Sequence, residues 1–235
     1  MTYIRPAYQF YPFPKPNLEE LVLSCDGEMQ RDDERTKQWI ALRDYEAPSN
    51  IKDPAKIKTA IEKKKEDDYN KAVFRYFTSI CRCWSVHNPA TEEASSFYGP
   101  DEADLVYRFL SYLEKLDRPI ILIGKNFVDF DFPFLIGRAL ALGIGLPDCF
   151  KDGRIRLFDI DWIWSRSRFC SQTGKLADYA FAFNLAPKIA HGSDVNEMVK
   201  NDEWEKLADY CEHDARLVSQ IWNRYHMGFT VPVNT

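Results

Sequence analysis

The sequence predicts an α/β protein built on a mixed β-sheet with helices on both faces. Residues 120–123 are four consecutive large apolar residues, as expected of a central strand whose two faces are both covered. Residues 77–86 and 94–98 are predicted strands, and the turn-rich sequence His87-Asn88-Pro89 between them makes them an antiparallel pair. Residues 201–222 carry apolar residues at three- and four-residue spacing, which indicates an amphipathic helix.

The first third of the chain is predicted to hold an arm, a strand and an insertion. Residues 1–17 place four prolines among aromatic residues, a composition typical of an extended arm. Leu18 to Ser24 is a predicted buried strand. Residues 29–53 are polar and irregular, and Asp53 then caps a predicted helix from Pro54 to about Val73. The lysines of this helix indicate either a solvated face or a basic arm beside a polyanion, and the solvated face is favoured.

The remaining elements follow from capping residues and apolar spacing. In chain order, the predicted elements are a helix from Asp101 to about Leu116, a helix after Pro133 through Leu142, a strand or extended segment over residues 154–164, a helix from Leu176 to Phe183, and a polar loop from Lys188 to Ser193. No internal repeat or low-complexity linker marks a second domain. Residues 18–235 are therefore predicted to form a single domain with a helical insertion at about 29–73.

Composition and charge limit the classes of function. The chain has 235 residues, 45% of them hydrophobic, and a formal net charge of -5. No global basic field attracts nucleic acid, which argues against a stoichiometric nucleic-acid binder but not against an enzyme whose acidic site carries metal. The six cysteines form no CxxC pair, and no signal peptide or membrane-spanning run is present. A reduced, cytoplasmic, monomeric protein without membrane contact is expected.

Asp214 lies in the middle of the apolar stripe of the predicted C-terminal helix. Leu207, Cys211 and Leu217 share this stripe, and Tyr210 places a phenol one turn before the carboxylate. An ionised carboxylate in an apolar seam is costly unless a cation or hydrogen bonds meet it. Asp214 is therefore either a structural residue, capping a helix or paired with an Arg, or a metal ligand.

Two further carboxylate sites favour the metal. Asp26 and Glu28 follow the first strand and, being two residues apart, would project to the same side, while Gly27 allows close backbone approach. Such a pair is tolerated in water or beside a cation. Asp131 lies between two phenylalanines ahead of a helix. It is either a further metal ligand or the N-cap of that helix. Four carboxylates at strand ends and on an inward helix face could gather two divalent cations, Mg²⁺ or Mn²⁺, for phosphodiester hydrolysis.

At these residues the chain resembles the DEDD, or DnaQ-like, 3′-5′ exonucleases of the ribonuclease H-like fold, in the branch with tyrosine in its third motif. The likeness extends to stand-alone phage and prokaryotic relatives of the proofreading domain of B-family DNA polymerases. Asp26 and Glu28 match the first motif, Asn126 through Asp131 the second, and Tyr210 through Asp214 the third. The three motifs occur in the family's order and spacing over residues 18–225.

The resemblance implies a ribonuclease H-like mixed sheet and a set of site residues. Asp26, Glu28, Asp131 and Asp214 would bind two metal ions, and Tyr210 would orient the attacking water. Expected substrate contacts are Gly27, Met29, Lys125, Asn126 and Phe127. The chain departs from the family at Gly27 and Met29, where Ile and Thr are common, and at Lys125, where His is frequent. The implied cellular site is a bacterial, archaeal or phage-infected cytoplasm, with replication or repair proteins as candidate partners.

The leading prediction is a 3′-5′ exonuclease that releases nucleoside monophosphates from single-stranded DNA, and an exoribonuclease is the alternative, since no residue separates ribose from deoxyribose. Single strands stack on aromatic rings, so Phe127, Phe132 and Tyr69 are candidates beside Lys125, although the first two also fit a core. A non-catalytic scaffold is the alternative from a different class of function, and the aromatic N-terminal arm is the feature that favours it. The insertion is expected to guide the strand or act as a lid.

Overall fold

The computed structural model describes residues 20–162 and 174–230, with backbone alone for residues 226–230. The predicted arm over residues 1–17 lies outside the described residues, as do Leu18 and the end of the segment predicted over 154–164.

Five strands form one mixed sheet in the order β3-β2-β1-β4-β5. Central strand β1 pairs antiparallel with β2 and parallel with β4, while β2 pairs antiparallel with β3 and β4 parallel with β5. The mixed sheet predicted from the sequence is therefore confirmed. The strands are β1 Leu21–Arg31, β2 Ser79–His87, β3 Ala94–Tyr98, β4 Ile120–Gly124 and β5 Ile155–Asp159.

Helices cover both faces of this sheet, and successive side chains of β4 pack into the core on alternate faces. Ile120 and Leu122 belong to a core cluster that includes Leu105 and Leu135, whereas Ile121 and Ile123 pack in a second cluster on the opposite face. The described helices are α1 Asp33–Ala41, α2 Pro54–Asn70, α3 Glu102–Lys115, α4 Phe132–Ala141, α5 Leu176–Ala182, α6 Val195–Lys200 and α7 Trp204–Thr230. Short 3-10 turns lie at Ala72–Phe74, Asp148–Phe150 and Gly192–Asp194, and a π-helical turn at Phe127–Asp131.

Two predictions about the first 70 residues were wrong. Asp26 and Glu28 do not follow the strand but lie inside it, because β1 continues to Arg31 by pairing with β2 after its pairing with β4 has ended at Ser24. Residues 29–53 are not irregular throughout. They include the end of β1 and helix α1, which Asp32 caps by accepting the backbone N–H of Arg35 at 3.0 Å.

Helices α2 and α7 confirm their predictions and differ in how they are stabilised. Asp53 caps α2 at the backbone N–H of Ala55, and none of the side chains of α2 is buried, so its lysine face is solvated. It ends at Asn70, three residues before the predicted end. In α7 the predicted inward stripe is buried throughout: Leu207, Tyr210, Cys211, Asp214, Leu217, Val218 and Ile221. Within the described residues, no helix combines the length and apolarity needed to cross a membrane.

Candidate active site

The site is built where α7 crosses β1. Oxygen atoms of Asp26, Glu28 and Asp214 all lie within 4.8 Å of one another. The two β1 carboxylates share one side of the strand because they are two residues apart, and α7 packs against β1 and β2 with Asp214 in its buried stripe. The structure thus joins the first and third carboxylate sites of the sequence, which are separated by about 190 residues.

Asp131 reaches the same region from the end of β4. The chain leaves β4 at Gly124, turns through Asn126 at a left-handed φ of 56°, and enters the π-helical turn that ends with Asp131. Asp131 is 7% exposed, and the charge of Asp26 acts on it. Among the described residues its carboxylate makes no capping hydrogen bond to α4. Asp131 therefore occupies the N-cap position of α4, but its side chain does not cap the helix.

Asp159, at the end of β5, holds this turn in place. Its buried carboxylate accepts the backbone N–H groups of Asn126 at 3.0 Å, Val128 at 3.3 Å and Asp161 at 2.9 Å. Gly124 makes the turn sterically feasible, since a Cβ added there would lie 2.4 Å from Cβ of Phe127. The sequence gives no signal for this role of Asp159, because a carboxylate that accepts backbone N–H groups has no spacing signature.

Burial and mutual repulsion raise the pKa values of the four carboxylates. Desolvation, followed by the charge of Asp214, raises the pKa of Asp26 from 3.8 to about 8. Desolvation is also the main cause of the raised pKa values of Glu28, Asp131 and Asp214. Four carboxylates in this environment need positive charge if all are to be ionised at neutral pH.

Lys188 supplies part of that charge. Its ammonium group forms an ion pair with Oδ2 of Asp214 and donates a hydrogen bond to the hydroxyl oxygen of Tyr210 at 3.1 Å. Burial alone would lower the pKa of Lys188, but Asp214 raises it above its ordinary value, and Asp26 and Glu28 add to this effect. The sequence predicted that a cation must meet Asp214. It did not identify Lys188, because the contact joins a loop to a helix 26 residues further along the chain.

Tyr210 lies beside the carboxylates as its position one turn before Asp214 predicts. Its side chain is 2% exposed, and burial together with the charge of Glu28 raises the pKa of its phenol far above the ordinary value. The hydroxyl therefore keeps its proton at neutral pH and can act as a hydrogen-bond donor.

The residues expected to contact substrate differ in exposure. Asn126 is exposed and Lys125 is half-buried, with its ammonium 3.2 Å from Asp161. The ring of Phe127 is 1% exposed and packs in the core, which agrees with the alternative that it is a core residue. Gly27 lies under the ring of Trp84, where a Cβ would come within 2.9 Å of ring atoms, and Met29 is 8% exposed. Their contacts with substrate stay predictions.

Two other aromatic candidates are engaged in contacts within the protein. Phe132 stacks on Phe150 with ring centroids 5.6 Å apart, and Tyr69 lies under the Arg31 guanidinium at 3.9 Å. A role for either in binding a single strand stays a prediction.

The donor set fits a hard divalent cation. Hard cations such as Mg²⁺ and Mn²⁺ prefer carboxylate oxygens, which are the groups that Asp26, Glu28 and Asp214 bring together. In addition, Oδ1 of Asp214 is buried and has no hydrogen-bond partner within the described residues. A buried carboxylate oxygen left in this state is expected to bind a cation or water.

A mixed sheet with this strand order and a carboxylate cluster beside its central strand defines a ribonuclease H-like α/β protein. Residues 67–228, more than half of the chain, match the family described as predicted 3′-5′ exonucleases related to the exonuclease domain of PolB. The chain belongs to this family, so the resemblance read from its motifs is confirmed. The matched region includes Asp131, Tyr210 and Asp214 and begins after Asp26 and Glu28.

The fold is similar to part of a solved polymerase structure. The family B DNA polymerase from the hyperthermophilic archaeon Pyrobaculum calidifontis matches with a TM-score of 0.55 and 18% sequence identity, over 88% of this chain and 24% of that chain. The protein therefore spans about a quarter of the polymerase that it resembles. No curated protein matches the chain.

Proposed function

We propose that the protein is a metal-dependent 3′-5′ exonuclease that removes nucleoside 5′-monophosphates from the 3′ ends of single-stranded DNA. The observation that carries this proposal is the meeting of Asp26, Glu28 and Asp214 within 4.8 Å, with Asp131 adjacent, in a chain of the exonuclease family. Each reaction adds water to the terminal phosphorus and breaks its bond to the 3′ oxygen of the preceding nucleotide, which becomes the new 3′-hydroxyl end.

Asp26, Glu28, Asp131 and Asp214 would hold two Mg²⁺ or Mn²⁺ ions, which when bound supply positive charge beside the scissile phosphate and acidify water. Lys188 keeps its proton at neutral pH because of Asp214, so it can offset negative charge that the phosphate brings. Tyr210 accepts a hydrogen bond from Lys188. The phenol proton would orient the attacking water.

The test is digestion of a 5′-labelled single-stranded DNA with Mg²⁺, with Mn²⁺ and with EDTA. We expect a metal-dependent ladder that shortens from the 3′ end and is absent for Asp214→Ala. Asp209→Ala is the matched control, because Asp209 is exposed on the same helix. An RNA strand of the same sequence tests the exoribonuclease alternative. Intact DNA and RNA under all conditions would refute the proposal and favour a binding scaffold.

A further inference from the structure

We propose that Phe74, from the short turn after α2, stacks against a base of the single-stranded substrate whose 3′ end lies in the carboxylate site. Phe74 and Phe130 together form what we call the aromatic ledge. This inference rests on the proposed exonuclease function and adds to it a binding position supplied by the segment between the first two motifs.

Phe74 is an exposed aromatic residue that contacts Phe130, the residue before Asp131. Its side chain is 63% exposed, and its centroid lies 5.8 Å from that of Phe130 in an edge-to-face arrangement. Phe130 directly precedes Asp131, and its ring is half-buried with Phe134 behind it at 5.9 Å. The ledge is thus adjacent in the sequence to a carboxylate of the candidate active site, and most of Phe74 is open to solvent.

The turn that carries Phe74 is held by buried polar contacts. Both Thr78 and Ser79 donate side-chain hydrogen bonds to the carbonyl oxygen of Ala72, at 2.7 and 2.8 Å. The guanidinium of Arg138, 2% exposed and paired with Glu102, donates to the carbonyl oxygen of Tyr76 at 2.8 Å.

An exposed phenylalanine in a flexible loop is common and carries no information. By contrast, a ring on a backbone fixed by three buried side-chain donors is pre-organised, so it loses little conformational entropy when a ligand stacks on it.

The charges around the ledge favour a base over a phosphate as its ligand. Asp129 is exposed beside Phe130 and would repel a phosphate, but it does not oppose the neutral face of a base. Lys71 is exposed at the start of the same turn, where its carbonyl accepts the N–H of Phe74 at 3.1 Å. A strand with a base on Phe74 could therefore bring a neighbouring phosphate to Lys71, the pairing of stacking and local cations typical of single-strand binding.

The first measurement compares wild type, Phe74→Ala, Phe74→Trp and Phe181→Ala. Phe181 is a matched control because it is 89% exposed on α5, which packs against the opposite face of the sheet from Phe134. We expect Phe74→Ala to raise both KM for a single-stranded oligonucleotide with Mn²⁺ and its Kd with EDTA. The expected increase is about fivefold to a hundredfold, as for the loss of one base–aromatic stack. Phe74→Trp should restore most of the affinity, and Phe181→Ala should behave as wild type.

The second measurement locates the stacked base. A series of oligonucleotides carries one abasic site at successive positions from the 3′ end, and each is bound to wild type and to Phe74→Ala. At one position the abasic substitution should weaken binding to wild type and have little further effect on Phe74→Ala, because both changes remove the same contact. If the losses of binding free energy caused by the abasic site and by Phe74→Ala are additive at every position, the proposal is overturned.

The outcomes separate this inference from the proposed function. If wild type degrades DNA but Phe74→Ala leaves KM and Kd unchanged, the ledge is refuted and the exonuclease stands. If wild type binds DNA through Phe74 without degrading DNA or RNA, the ledge stands and the exonuclease is refuted. A change in oligomeric state on size-exclusion chromatography with unchanged Kd would assign Phe74 to a protein interface and overturn the proposal.

Discussion

Replacing Asp26 by Asn should stabilise the metal-free protein while abolishing its activity. Desolvation and the charge of Asp214 raise the pKa of Asp26 from 3.8 to about 8. The folded protein then binds a proton that the unfolded chain releases, so ionisation of Asp26 lowers the free energy of unfolding as the pH rises from about 4 to about 8. Asn resembles the protonated carboxyl group and carries no such cost.

The magnitude follows from these two pKa values. At about 1.4 kcal/mol per pKa unit, the ionised Asp26 costs up to about 5 kcal/mol of stability at pH 8 and about 1 kcal/mol at pH 4.5. The first figure is an upper limit, because in the folded wild type the retained proton can also bind to Glu28 or Asp214. A chain of this size shifts its melting temperature by about 2–4 °C per kcal/mol. We expect Asp26→Asn to melt at least about 5 °C above wild type at pH 8, and within about 4 °C at pH 4.5.

The assay is thermal unfolding in EDTA across this pH range, followed by circular dichroism, with exonuclease activity measured in Mn²⁺. Asp209→Asn makes the same change of charge at an exposed position of α7 and should match wild type at every pH. A loss of stability in Asp26→Asn at pH 8 would refute the reasoning and show that the carboxylate has a structural role. An active Asp26→Asn would refute its role as a metal ligand.

Three further predictions concern the metal and the supports of the site. Saturating Mn²⁺ should raise the melting temperature more at pH 8 than at pH 5, because the raised pKa values of Asp26 and its neighbours keep these ligands protonated at the lower pH; equal shifts measured by calorimetry would contradict this. Arg138→Met should lower the free energy of unfolding, measured with urea, by about 3–5 kcal/mol, because it leaves Glu102 buried without its cation. Arg108→Met removes an exposed ion pair with Asp104 and should lower it by less than about 1 kcal/mol. Gly124→Ala should lower the free energy of unfolding by about 1–3 kcal/mol and remove most of the activity, because its Cβ would displace Phe127. Gly145→Ala is the control, since a Cβ there meets no atom within 4 Å in the described structure, and an equally small effect of both changes would argue against the tight turn.

The sequence predicted the sheet and the C-terminal helix well because both follow from short-range patterns. The apolar run of β4 and the stripe of α7 each report which faces are buried, and capping residues such as Asp53 and Asp101 mark helix starts by local hydrogen bonds. The same reasoning failed for the end of β1. Its continuation to Arg31 depends on pairing with β2 about 50 residues away, and no local signal reports that pairing.

The carboxylates of the site could be named from the sequence, since their residue types, order and spacing are those of a known exonuclease family. Their environment could not. Lys188 pairs with Asp214, and Asp159 holds the second motif through the backbone N–H groups of Asn126 and Val128. Both are contacts between segments that are distant in the sequence. The same holds for the exposed ring of Phe74 beside Phe130. By itself, the sequence determined the chemistry that this protein carries, because side-chain identity fixes charge and ligand type. Only the tertiary structure decided the protonation, pairing and exposure of those groups, because each depends on the distances and burial that folding creates.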